Sequence, residues 1–191
     1  MKAMSIIRDE HQSMAAMLHS LLFLVRGIRE RKLDPNFELL GAMIYYIDTF
    51  PERLHHPKED QWLFRLLHQR YPPARALLDR LQSEHRAGAG RVRQMEQALA
   101  HYAQGGADEF PAFAAIVEAY VEFERNHMRS EEIEVFPLAT KHLLPEDWAE
   151  IDAAFAANTD PLHGISTSNH FENLFSRIVN LAPPPIGVGP A

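Results

Sequence analysis

Glu52-Arg53-Leu54-His55-His56-Pro57-Lys58-Glu59 and Glu124-Arg125-Asn126-His127-Met128-Arg129-Ser130-Glu131 are two copies of one pattern, each running on to a phenylalanine, Phe64 and Phe136. Both read E-R-x-H-x-x-x-E-x-x-x-x-F, with a further acid after the second glutamate, Asp60 and Glu132. Residues i and i+4 of a helix lie one turn apart on the same face. A histidine and a glutamate so spaced can reach one metal ion, or the glutamate can bridge two. Two such helices face to face bring two imidazoles and two carboxylates to one point in a core.

The helices that carry the repeat have companions. From Ser5 to Arg31, Ile7, His11, Met14, Leu18, Leu21, Val25 and Ile28 recur at helical spacing. Leu33-Asp34-Pro35 reads as a turn with Asp34 as the N-cap. The second helix runs from there to about Arg70, and Pro51 and Pro57 inside it predict a kink or break near His55. A third, Ala74 to Gln104, carries Leu78, Leu81, His85, Gly88, Val92, Met95, Leu99 and Tyr102 on one stripe, and Gly105-Gly106 ends it. The fourth opens at Asp108 or Glu109 and continues to about Thr140. Alternating strand patterns are almost lacking. The expected fold is therefore all-α, an antiparallel up-down-up-down four-helix bundle over residues 1–144.

Residues 145–191 read as an appendage with two short C-terminal helices, one from Pro145 to about Ala157 and one from Ser168 to about Leu181. The Pro183-Pro184-Pro185 tail, with Gly187 and Gly189, is expected to be extended and partly mobile.

His11 and His85 sit on the apolar stripes of the first and third helices, where a polar side chain is costly unless satisfied. The helices then supply His11, His55 with Glu59, His85, and His127 with Glu131, a set suited to a dinuclear metal site. A single H-x-x-x-E is a common surface feature. The matched repeat, with two further histidines on core stripes, is what points to metal.

Composition narrows the chemistry. The chain has no cysteine, which excludes disulfides, thiolate zinc sites and a cysteine nucleophile within it. It has eleven histidines, so imidazole and carboxylate must do any metal binding, as suits iron, manganese or zinc. The net charge of −7 without a basic run speaks against nucleic acid as a partner. No apolar run approaches the ~20 residues of a membrane span. Met1 to Glu10 carries no signal-peptide pattern, so a cytoplasmic protein with no membrane contact is expected.

The segment Tyr46-Ile47-Asp48-Thr49-Phe50-Pro51 leading into Glu52 to Asp60, the partner segment His127 to Glu132, and the pairs Glu10-His11 and Glu84-His85 together resemble the hemerythrin-like, or HHE cation-binding, family. The resemblance spans about Met1 to Leu144. It implies a non-heme di-iron centre with an oxo, hydroxo or water bridge, manganese or zinc being the alternatives. His11 and His55 would serve one iron, His85 and His127 the other, with Glu59 and Glu131 bridging. It also implies a small diatomic ligand, through binding or sensing of dioxygen or nitric oxide, or a response to peroxide. The alternatives are a di-iron redox enzyme, an iron donor for iron–sulfur cluster repair, and a metal-stabilised interaction module. In the last, a protein partner or a second copy would meet the C-terminal appendage.

Oxygen-carrying members place a further histidine four residues after the third-helix ligand, and here that position is Ala89. Their last histidine and carboxylate are also spaced differently. The small run Ala87-Gly88-Ala89-Gly90 suggests space beside one iron. A ferritin-like alternative would use Glu10, Glu52, Glu84 and Glu124 as carboxylate ligands. Helix phase disfavours it, and Glu52 and Glu124 are read instead as carboxylates orienting the ligand histidines. Tyr45 and Tyr120 are candidates near the site. His56, turned about 100° from His55, is expected outside the ligand set, and His163 and His170 at the surface.

Overall fold

The structure, a computed structural model, describes residues 1–157 and 176–189. The fold is an all-α helical bundle, with no strand among the described residues. Helix α1 spans Ala3–Arg29. Helix α2 is one unbroken helical run over residues 37–70. After a short 3₁₀ turn, Pro72–Ala74, α3 spans Arg75–Gly105. A second run, α4, covers residues 110–142, α5 spans Pro145–Ala156, and residues 176–181 form a last helical turn and a half, α6. No helix of the described residues is long and apolar enough to cross a membrane.

Local chemistry sets most of the boundaries. The N-cap of α2 is Asn36 and not Asp34: its side-chain oxygen accepts from the Leu39 amide at 3.0 Å. Gly106, at φ +74°, stops α3 in a conformation that favours glycine.

Helix α2 does not break near His55. The prolines are absorbed by two π-helical stretches, Asp48–His55 and Glu59–Phe64, whose wider turns change which donors and acceptors pair. Helix α4 has a matching π stretch at Glu131–Val135, just ahead of Pro137. The sequence repeat is thus in part a backbone repeat, in which the π segments Glu59–Phe64 and Glu131–Val135 each open on the second glutamate of the motif.

Two apolar clusters flank a polar layer. One holds Met14, Leu18, Leu21, Met43, Phe50, Val92, Met95, Val117 and Tyr120. The other holds Ile7, Leu63, Phe64, Leu81, Val135 and Phe136 together with Trp148, Ile151 and Phe155 of α5. Along three helices the change of cluster falls at a histidine: His11 between Ile7 and Met14, His55 between Phe50 and Leu63, His85 between Leu81 and Val92; on α4 it falls just past His127, between Met128 and Val135.

Helix α5 closes the end of the bundle nearest this layer. The Ala3 amide donates to Asp152 at 2.7 Å, Lys58 Nζ to the Ala154 carbonyl at 2.9 Å, and Arg70 makes a two-pronged bond to Asp147 at 2.7 and 2.9 Å. The expected extended tail is instead folded back. The amides of Val188 and Gly189 donate to the carbonyls of Val179 and Ala182 at 2.9 and 2.8 Å. A Cβ at Gly187 or Gly189 would collide with backbone carbonyls there, which is why glycine occupies both positions. Ile178 and Ala182 of this segment are buried in the first cluster. The Ser168 start of the expected second helix, with His163 and His170, lies outside the described residues.

Candidate metal centre

His11, His55, His85, His127, Glu59 and Glu131 are all buried, and both glutamates are fully enclosed. Their ligand atoms form two groups that share both carboxylates. His11, His55, Glu59 and Glu131 make one, and His85, His127, Glu59 and Glu131 the other, with all ligand atoms of a group within 4.8 Å of one another. His55 Nε2 lies 3.3 Å from Glu59, and His127 Nε2 lies 3.1 Å from Glu131. His11 Nε2 is 3.4 Å from Glu131, and His85 Nε2 is 3.5 and 3.7 Å from Glu131 and Glu59. All of these separations exceed the ~2.7–2.9 Å of a charge-assisted hydrogen bond. They match the ~3 Å edge between neighbouring ligands that each sit about 2.0–2.2 Å from a metal ion.

The unpartnered atoms tell the same story. His11 Nε2, His55 Nε2 and all four oxygens of Glu59 and Glu131 are buried without a hydrogen-bond partner. Such atoms cost about 1–3 kcal/mol each when left so, more if charged. A cation between them would satisfy the whole set. The residues therefore fit a metal-binding site.

The outward nitrogens are held by a closed ring of carboxylates. Glu10 of α1 lies 2.7 Å from His55 Nδ1 of α2, and Asp60 of α2 lies 2.8 Å from His85 Nδ1 of α3. Glu84 of α3 lies 2.8 Å from His127 Nδ1 of α4, and Glu132 of α4 lies 3.0 Å from His11 Nδ1 of α1. Each carboxylate is the chain neighbour of a residue in the metal-ligand groups, so every helix both offers a ligand and orients the next helix's histidine. An Nδ1–H donated outward fixes the tautomer and leaves Nε2 free for a metal.

This arrangement revises several expectations. Glu10 and Glu84, the acids of the disfavoured ferritin-like alternative, each hold a histidine Nδ1, and Glu84 splits its oxygens between His127 and Arg80, the latter at 2.9 Å. Glu52 and Glu124 do not orient ligand histidines. The Glu52 side chain, 2% exposed, accepts from the Tyr120 hydroxyl at 3.1 Å. Its carboxylate fills the space left by Gly88, where a Cβ would collide with both oxygens. The gap expected beside the third helix is thus occupied by Glu52. Tyr45 is 41% exposed, on an outer face. His56 is buried, not turned away, and its ligand atom lies with those of His85 and His127 in a third group. A 100° step per residue does not hold where α2 leaves its π stretch, so helix phase could not have found it.

Electrostatics separate the histidines of the metal-free chain. Burial, with neighbouring imidazoles, holds His55 well below its ordinary value. For His127 burial pulls down, but Glu131, Glu124 and Glu84 outweigh it and raise the group to about 10. His11 and His85 are raised in the same way against burial, by Glu131 with Glu132 and by Asp60 with Glu131. Burial and the Glu131 charge push Glu59 well up. Burial opposes ionisation of Glu131 too, but His127, His11 and His85 prevail and hold it well below the carboxylate range. Glu131 is therefore the anionic hub of the site.

Two substitutions test this layer. Glu84→Ala removes the partner of His127 Nδ1 at a side chain already 24% exposed, so the fold is expected to survive. Metal affinity is expected to fall about 10–100-fold, measured by competition with a chelator. Gly88→Ala gains about 1 kcal/mol of helix propensity, but displaces Glu52 and orphans the buried Tyr120 hydroxyl at about 1–3 kcal/mol. Net destabilisation is expected in denaturant titration. Part of it should be recovered in a double-mutant cycle with Glu52→Ala, and strict additivity would refute the contact.

No curated protein or solved structure matches the chain. The family model for the hemerythrin HHE cation binding domain matches residues 2–139, the stretch that carries all four histidines and both shared glutamates. By that match, over a site whose donors fit a cation, the chain belongs to the hemerythrin HHE cation-binding domain family.

Proposed function

We propose that His11, His55, Glu59 and Glu131 hold one iron and Glu59, His85, His127 and Glu131 a second, and that the pair binds or senses dioxygen, nitric oxide or peroxide. The observation that carries this reading is the sharing of both buried glutamates by two four-residue groups. A pair of irons, when bound, supplies an open coordination position and reversible electron transfer. The protein's part is to hold the donors and keep water out. Phe136 stacks on His11, Phe64 on His85, and Phe50 and Phe155 lie against His55, so aromatic rings wall the imidazoles.

A small ligand suits this enclosure. A cavity of only about 10 Å³ lies nearby, against Tyr120 and Glu124, and none of the candidate ligands lines it. Cavities of about 360 and 740 Å³ lie around the α1–α2 turn, Leu33 to Phe37, and one of about 450 Å³ lies between α2 and α3, with no histidine lining any of the three. In this reading residues 1–144 are the metal-binding unit, and residues 145–191 an addition whose helix α5 seals one end of it and which offers a surface to a partner or a second copy.

The test is metal content and optical spectra of protein from its native source, oxidised and anaerobically reduced, before and after adding dioxygen or nitric oxide. Two irons per chain with a gas-dependent spectral change are expected. One zinc per chain, or two irons indifferent to dioxygen, nitric oxide and peroxide, would overturn it.

A further inference from the structure

His56 is the one buried histidine of the polar layer that the ring of carboxylates does not hold. Its side chain is 4% exposed, yet neither ring nitrogen has a hydrogen-bond partner. Glu52 is 3.6 Å from Nδ1 and Glu124 is 3.9 Å from Nε2, both beyond hydrogen-bond range. A buried imidazole with both nitrogens idle is costly. His11, His55, His85 and His127 each have Nδ1 tied to an acid at 3.0 Å or less. No hydrogen bond fixes the orientation of the His56 ring.

Its position gives that freedom a use. The ring lies nearly parallel to His85, with centroids 4.4 Å apart and an 11° interplanar angle, and 5.3 Å from the His127 ring. A nitrogen of each of the three rings falls within 4.8 Å of the other two. A parallel stack cannot place one ion in both ring planes, so ligation requires His56 to rotate about its Cβ–Cγ bond. Glu52 fills the space beside Gly88 of α3, and His56 of α2 supplies the third imidazole within reach of His85 and His127.

We propose that His56 is a fifth, unlocked imidazole that swings to ligate the metal held by His85 and His127, occupying the place of a solvent molecule and leaving it when a stronger ligand arrives. This rests on the two-metal reading above and adds an asymmetry to it: three imidazoles at one ion, two at the other.

The experiment uses the full chain loaded anaerobically with ⁵⁷Fe(II) and read by Mössbauer spectroscopy. The wild-type chain comes first, and failure to take up two irons overturns the di-iron reading itself. With two irons bound, His56→Ala is expected to shift one quadrupole doublet and leave the other in place. Free imidazole should restore the wild-type doublet, while pyrrole, a ring of the same size without a ligating lone pair, should not. His56→Phe covers the case in which alanine does not fold: it keeps an aromatic ring against His85, and the same single doublet should shift. Unmoved doublets, or restoration by pyrrole as well as by imidazole, would overturn the proposal.

Discussion

Replacing Glu131 with alanine is expected to empty the site of both metal ions, not one. Glu131 belongs to both ligand groups and lies within 3.5 Å of nitrogens on His11, His85 and His127. It is also the carboxylate that stays ionised at neutral pH, since those imidazoles hold it well below the ordinary range against the pull of burial. Glu59 is pushed the other way in the intact chain, by burial and by Glu131 itself. Removing Glu131 therefore deletes a bridging ligand and the main counter-charge together. A partner that merely orients a ligand is worth about 10–100-fold in affinity, so loss of this shared ligand should exceed ~100-fold at each site. His55→Ala is the contrast, because His55 belongs only to the first group. Metal analysis after dialysis should find near zero ions per chain for Glu131→Ala and about one for His55→Ala. Equal retention of one ion in both variants would show that Glu131 does not bridge.

That contrast depends on features of unequal visibility in the sequence. The helices were legible because apolar stripes at helical spacing run through α1, α3 and α4 and end at punctuation such as Gly105-Gly106. Of the candidate ligands, His11 and His85 were visible as polar residues on those stripes, and His55, Glu59, His127 and Glu131 through the repeat. The ring of carboxylates was not, although Asp60 and Glu132 stood out as extra acids of the repeat and Glu10 and Glu84 as neighbours of histidines. Which acid serves which histidine is a property of packing: Glu10 and His55 are 45 residues apart, and His11 and Glu132 are 121 apart. Side-chain phase on a regular helix says nothing about that pairing.

His56 and Glu52 were misplaced for another reason. Both lie in or beside the π stretch Asp48–His55, where the turn is wider than the one helical-wheel reasoning assumes. The prolines did announce an irregularity at this point. They could not say that the helix would widen and keep going, carrying a second histidine inward. The folded-back tail was hidden similarly, since proline and glycine allow an extended chain as readily as the tight return that Val179 and Ala182 accept here.

Stripping both metals is expected to lower the midpoint of thermal unfolding by about 15–30 °C, and by more as pH rises. A metal that binds only the folded chain contributes about 4 kcal/mol per site at a thousandfold excess over its dissociation constant. A chain of this size moves about 2–4 °C per kcal/mol. The pH trend follows from the histidines. Protons compete with metal for His11, His85 and His127, whose values all lie above the ordinary 6.5, His127 at about 10. Rising pH removes that competition and strengthens metal binding. In the stripped chain the same raised groups contribute stability that is fully present below 6.5 and lost as pH climbs through their folded values. Both effects widen the gap between loaded and stripped protein. His55, depressed by burial, works in the opposite direction only below 6.5, where its unfolded form takes a proton, so the clean window is about pH 7–9. Paired melts of loaded and chelator-treated protein across that window read the gap directly. A gap that shrinks with pH would mean that the histidines of the stripped chain are not held protonated by Glu131, and that the hub of the site lies elsewhere.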